Sequence, residues 1–139
     1  MTPPAGSGPL LFFDGECGLC QRLVRLLLRL DRKGSLRFAP LQGATAQAWL
    51  RAHALPTEDF STLVFAPPGP AEAPRLRTDG IAGALRAAGR PGLARSLAIV
   101  PRPLRDAVYR LVARTRFALF GPWRGGRPLR PEWAGRFLP

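Results

Sequence analysis

Residues 10–20 read LLFFDGECGLC. Four apolar residues, Leu10 to Phe13, run unbroken into Asp14 and Gly15. The chain's only two cysteines, Cys17 and Cys20, follow. A short, wholly apolar run is the pattern of a central strand covered on both faces. From about Gly18 to Asp31 the period changes. Arg22, Arg25, Arg29 and Arg32 form one stripe, and Cys20, Leu23, Val24, Leu27 and Leu30 fill the opposite side. This is an amphipathic helix, ended by Lys33-Gly34. The Cys-x-x-Cys pair therefore stands where a strand gives way to a helix.

That position has chemical consequences. The first turn of a helix carries unpaired N–H groups and the positive end of its dipole, and both stabilise a thiolate. Such placement lowers a cysteine pKa from about 8.5 to somewhere between roughly 3.5 and 7.5. Cys17 is expected to be the exposed, attacking sulfur. Cys20, one turn on and beside Leu23, Val24 and Leu27, is expected to be shielded and to resolve. Gly15 and Gly18 leave room for a partner's backbone at the exposed sulfur, and Leu19 joins them as a candidate substrate contact. Asp14 ends the strand, where active sites of open α/β sheets lie. Part-buried, it would take the proton from Cys20; it reads equally well as a cap for the turn. Glu16 reads as a turn residue, since an anion there opposes thiolate formation. The bland reading of the cysteines is two small buried hydrophobes.

Outward from this stretch, Leu36 to Pro40 reads as a second strand, parallel to the first if the helix is a right-handed crossover. Thr45 to Ala54 reads as a helix with Thr45 as N-cap. Ser61 to Ala66 and Arg75 to Thr78 read as a hairpin turning at Pro67–Pro70, and Gly80 to Ala88 as a third helix. The order β-α-β-α-β-β-α is that of the thioredoxin fold. Residues 10–90 are expected to form this core, after a lead-in over 1–9 rich in Pro and Gly.

The remainder, 91–139, reads as a basic helical extension with an irregular tail. Pro103 to Phe120 places Leu104, Val108, Leu111, Val112, Thr115 and Leu119 on one face, expected to dock on the core. Trp123, Trp133 and Phe137 are expected to anchor the tail. The chain carries +12, of which +4 falls in residues 1–90 and +8 in 91–139. A basic surface favours anionic partners. No nucleic-acid module is visible and a single tyrosine leaves little stacking chemistry, so nucleic acid is not the expected partner. Peripheral contact with an anionic membrane through the basic C-terminal region is the alternative to a solvated face.

Other chemistries find little support. Zinc wants four ligands, and beside the cysteine pair stands only His53, the single histidine. No metal and no cofactor is expected. No Gly-rich phosphate loop, serine-histidine-acid set or paired carboxylates stand out. The N-terminus has neither the basic nor the apolar region of a signal peptide, so the reducing cytoplasm is the expected compartment. There a Cys-x-x-Cys pair is more often redox or metal chemistry than a structural disulfide.

The block LLFFDGECGLCQRLVRLLLRLDRKGSLRFAPLQG resembles the opening of the DCC family of predicted thiol-disulfide oxidoreductases. That family takes its name from a D-x-x-C-x-x-C motif, matched by Asp14, Cys17 and Cys20. The resemblance continues through Phe38, Leu41 and Gln42, through Thr78-Asp79-Gly80, and through VPRPLRDAVYRLVARTRFALFG. It implies a thioredoxin-like core, a functional Asp14, and a thiol or disulfide substrate, protein or small molecule. Two departures stand out. Gly126 occupies the place where family members often carry a further cysteine. And Ser61-Thr62, not a proline, precedes Leu63, so Thr62 is expected to face the cysteines. The adaptor reading, in which the basic tail docks and the cysteines are incidental, is the runner-up.

Overall fold

A computed structural model of the chain describes residues 9–32, 34, 36–58, 62–67, 73–121 and 135–138. The lead-in over 1–8, the turn at 68–70, and Trp123, Gly126 and Trp133 lie outside the described residues.

Strand β1 (Leu10–Phe13) is buried along its whole length. Its alternation decides what lies on each side of the sheet. Leu11 and Phe13 point into one cluster with Val24, Leu27, Phe38 and Phe65. Leu10 and Phe12 point into the other with Leu41, Leu50 and Val64. The first cluster is closed by helix α1 (Gly18–Leu30) and helix α3 (Arg77–Ala87), the second by helix α2 (Ala44–Ala52). The remaining strands are β2 (Arg37–Pro40), β3 (Val64–Ala66) and β4 (Arg75–Leu76), and the sheet order is β2-β1-β3-β4. β1 pairs parallel with β2, and β3 runs antiparallel to both β1 and β4. This mixed sheet between helices is a thioredoxin-like α/β fold. It sets the end of β1 and the start of α1 side by side at one edge of the core.

Several local expectations need correction. Gly43, not Thr45, caps α2, and no side-chain hydrogen bond closes that end. Arg77 and Thr78 belong to α3, not to β4. α3 comes close to the sheet because Gly83 has no Cβ; one built there would stand 2.7 Å from the Phe65 ring.

Helix α4 (Pro91–Ile99) packs on α3, and helix α5 (Arg102–Phe120) packs on α1 and α3. No helix of the described residues is long and apolar enough to cross a membrane. The docked face of α5 is not the expected one. Leu104, Val108, Leu111 and Leu119 are exposed, Leu111 to 62%. The stripe turned inward is Arg105, Tyr109, Val112 and Arg116. Polar bonds, not apolar burial, choose this face. Leu63 N–H donates to Tyr109 Oη (2.9 Å), Arg105 reaches Asp79 (3.2 Å), and Arg116 reaches Asp14 (3.0 Å). Leu111→Ala is therefore expected to change stability by less than about 0.5 kcal/mol. Tyr109→Ala should cost about 2 kcal/mol or more. Urea unfolding of both variants checks the assignment, and the reverse ranking would contradict it.

In the described part of the tail, Phe137 lies against Phe38 and Phe13 at 5.6 and 6.4 Å between ring centroids. Leu138 N–H donates to Phe38 O (2.8 Å). Arg136 pairs with the buried Asp31, whose Oδ2 also accepts from Leu36 N–H. The tail end thus adds to the β2 edge of the sheet.

Candidate functional site

Cys17 is the N-cap of α1. Its backbone is extended (φ −96°, ψ 126°), and its Sγ accepts the N–H of Cys20 at 3.5 Å. A sulfur here occupies the place usually taken by a Ser or Asp oxygen, serving an N–H that the helix itself cannot satisfy. Cys17 N–H in turn donates to Asp14 O (3.3 Å), closing the turn between β1 and α1.

Asp14 is buried, and both its oxygens are occupied. Oδ1 accepts Glu16 N–H (3.0 Å) and Gln42 Nε2 (2.6 Å). Oδ2 pairs with Arg116 Nη1 at 3.0 Å. Gln42 acts as a clamp: its Oε1 also accepts Gly15 N–H (3.1 Å), so one amide holds the turn at two points. Arg116 arrives from the last third of α5. Its Nη1 also stands 3.7 Å from Cys20 Sγ. One guanidinium nitrogen therefore bridges the buried carboxylate and the second cysteine. Burial opposes the Arg116 charge, but Asp14, Cys17 and Cys20 outweigh it and raise its pKa.

Thus the three residues of the D-x-x-C-x-x-C pattern meet at the end of one strand and the start of one helix. The profile of the DCC1-like thiol-disulfide oxidoreductase family matches residues 11–122. The chain belongs to this family. An uncharacterized Bacillus subtilis (strain 168) protein, YuxK, is 33% identical over 139 residues, the full length of both chains. A chloroplastic DCC family protein of Arabidopsis thaliana is 29% identical over 115 residues, 81% of this chain and 65% of that one. No solved structure matches the chain significantly.

In this DCC1-like chain both cysteines are free thiols. Burial pushes the Cys20 thiol up. A charge at Cys17 and the hydrogen bond to Cys17 push it further, Arg116 pulls it back in part, and the balance moves it from 9.0 to about 12. Between those two values the unfolded chain releases the Cys20 proton while the folded chain keeps it. Stability of the reduced protein is therefore lost as pH rises from about 9 toward 12, and is unaffected by this group below 9. Urea midpoints at pH about 8 and about 10.5 should fall more in the wild type than in Cys20→Ser. Equal falls would show that Cys20 titrates as an ordinary thiol.

The other expected site residues are redistributed. Cys17 is not the exposed sulfur: it is 0% accessible, whereas Cys20 is partly accessible. The burial follows from its use as the cap, which turns Sγ inward over the first turn. Gly18 does leave room, but the chain fills that room itself. Gly18 N–H donates to Gly121 O (3.1 Å), and a Cβ at Gly18 would lie 2.8 Å from Phe120 O. Gly15 packs on Pro40 and Gln42. Thr62 lies across the sheet from the cysteines, in a small cavity with Leu50, Pro56 and Val64; its neighbour Leu63 is on the cysteine side. Leu19 and Cys20 line a cavity of about 450 Å³ between α1, α3, α4 and α5. His53 stacks on Trp49 at 3.9 Å between centroids.

Arg116 and Tyr109 were not singled out by the sequence reading. The available signal was the spacing 105, 109, 112, 116, a helical stripe in its own right that includes the only tyrosine. The louder apolar stripe beside it masks that spacing.

Proposed function

We propose that the chain is a thiol-disulfide oxidoreductase that cycles Cys17 and Cys20 between dithiol and disulfide. The observation that carries this reading is the meeting of the two cysteines across the first turn of α1, where Cys17 Sγ takes the Cys20 N–H, with a buried guanidinium beside the Cys20 sulfur. Cys17 sits at the helix N-terminus, where its sulfur takes the Cys20 N–H. Cys20 is held as the thiol, with Arg116 placed to stabilise its charge when it ionises. Asp14 fixes Arg116 in that place, and its occupied oxygens favour this role over that of a proton acceptor. A reducing cytoplasm suits a pair that works from the dithiol.

The reading is tested by following exchange between glutathione and a small fluorogenic disulfide at catalytic concentrations of the protein. Turnover that disappears on alkylating the cysteines supports it; exchange no faster than without protein would sink it. The positioning role of Asp14 has its own test. Asp14→Asn and Arg116→Met should each slow exchange, and the double variant should be no slower than the worse single. Losses that multiply would make Asp14 an independent base.

One observation favours a second role. Leu104, Val108, Leu111 and Leu119 lie along one exposed side of α5, with the exposed Arg110 and Arg114 beside them. An apolar helix face bordered by arginines fits an anionic bilayer. Sedimentation with phosphatidylglycerol vesicles, but not with phosphatidylcholine vesicles, is the expected result. Equal or absent binding to both would remove this role.

A further inference from the structure

The surface through which a partner would reach the cysteines is divided unequally. On the Cys17 side it is closed. Cys17 has no accessible surface, and Phe120 and Gly121 lie over Gly18, with Gly121 O taking the Gly18 N–H. A polypeptide laid along this edge would have to displace the chain's own segment. On the Cys20 side the surface opens into the cavity of about 450 Å³, within the usual size range for a small-molecule site.

The lining of this cavity is selective. Leu19, Leu23, Leu63, Ile81, Leu97 and Val112 supply its walls. The polar side chains that also border it are turned to other partners. Tyr109 Oη takes Leu63 N–H, Thr78 Oγ1 donates to Asp106, Arg105 bonds Val100 O and Asp79, and Arg116 bonds Asp14. What they present inward is mostly carbon. The chemistry left at the wall is the Cys20 sulfur with the Arg116 charge beside it.

We propose that the cavity binds a small thiol with an apolar body, or its disulfide, and that Cys20 is the sulfur with which this molecule exchanges. The proposal rests on the oxidoreductase reading above and adds the class of its substrate. In the oxidised protein the incoming thiolate attacks Cys20 Sγ. The Cys17–Cys20 bond breaks, a bond from the substrate sulfur to Cys20 forms, and Cys17 leaves as a thiolate received by the helix N-terminus. A second thiol attacks the substrate sulfur of this mixed disulfide, and Cys20 departs with a proton. In sum, two thiols become one disulfide, and the protein disulfide becomes two thiols, with two electrons and two protons transferred. The reverse sequence reduces the small disulfide. The burial of Cys17 explains why the departing, not the attacked, sulfur occupies the cap.

The test uses the oxidised full-length protein and two probe thiols of similar acidity, benzyl mercaptan and 2-mercaptoethanol. Rates of loss of the protein disulfide are read by acid quench and thiol mass-tagging. A Cys-x-x-Cys peptide disulfide serves as reference. The protein should prefer benzyl mercaptan over 2-mercaptoethanol by roughly tenfold more than the peptide does, which burying about 60 Å² of apolar surface supplies. The trapped mixed disulfide should map to Cys20. Leu97→Gln, at the α4 wall, and Val112→Phe, which narrows the cavity from α5, should each bring the preference toward that of the peptide. Exchange without preference, or an adduct on Cys17, overturns the proposal while leaving the oxidoreductase reading intact. No exchange with either thiol overturns both.

Discussion

Arg116→Met is expected to cost about 3–5 kcal/mol of stability, together with most of the exchange rate. The size follows from what is left behind. Arg116 and Asp14 are both almost wholly buried, and their contact is 3.0 Å. Taking away the guanidinium strands a carboxylate in the core with, among the described residues, the Glu16 N–H and the Gln42 amide as its remaining donors. It also removes the positive charge 3.7 Å from Cys20, so that sulfur becomes harder still to ionise. The pair need not be a net source of stability. A buried ion pair is costly to desolvate, and the penalty comes from breaking it unevenly. Asp14→Asn combined with Arg116→Met should therefore recover part of the stability while leaving exchange slow. Denaturant unfolding and the exchange assay together check this. A loss below about 1 kcal/mol in the single variant would mean that Asp14 finds other support.

Cys17→Ser should slow exchange sharply, because release of Cys20 then depends on an external thiol, while leaving the fold as stable as before. A serine hydroxyl is a good N-cap and takes over the Cys20 N–H, so the start of α1 survives. What is lost is the internal sulfur. A mixed disulfide formed at Cys20 then has nothing nearby to release it, and it should persist after excess reagent is removed. Mass spectrometry of the intact protein reads the retained adduct, and a thermal melt reads the fold. Turnover as fast as that of the wild type in Cys17→Ser would show that Cys20 works alone, as a one-thiol centre.

The parts of the fold legible in the sequence are those where a single physical cause acts. LLFF is apolar throughout because β1 is covered on both faces, and the stripe through Val24 and Leu27 is apolar because α1 lies on the sheet. The meeting of Asp14, Cys17 and Cys20 was legible in the same way, since a strand leading into a helix places them together. What escaped was decided by competition between causes. α5 has an apolar stripe and a polar one, and periodicity alone favours the apolar. The structure instead turns Tyr109 and Arg116 inward, because Leu63 N–H and Asp14 each need a partner in the core. The accessibility of the cysteines was misjudged for a related reason. The residue that covers Gly18 is about one hundred positions away, at the end of α5, and no local pattern around the cysteines announces it.

The central claim is that Cys17 and Cys20 form one two-electron couple. It is tested most directly by equilibrating the full-length protein in glutathione buffers of graded potential, quenching in acid and mass-tagging free thiols. The account predicts a single transition in which both tags disappear together and the protein becomes lighter by two hydrogens, with the new bond between Cys17 and Cys20. Two tags retained at every potential, or glutathione added to one cysteine while the other stays free, would contradict it.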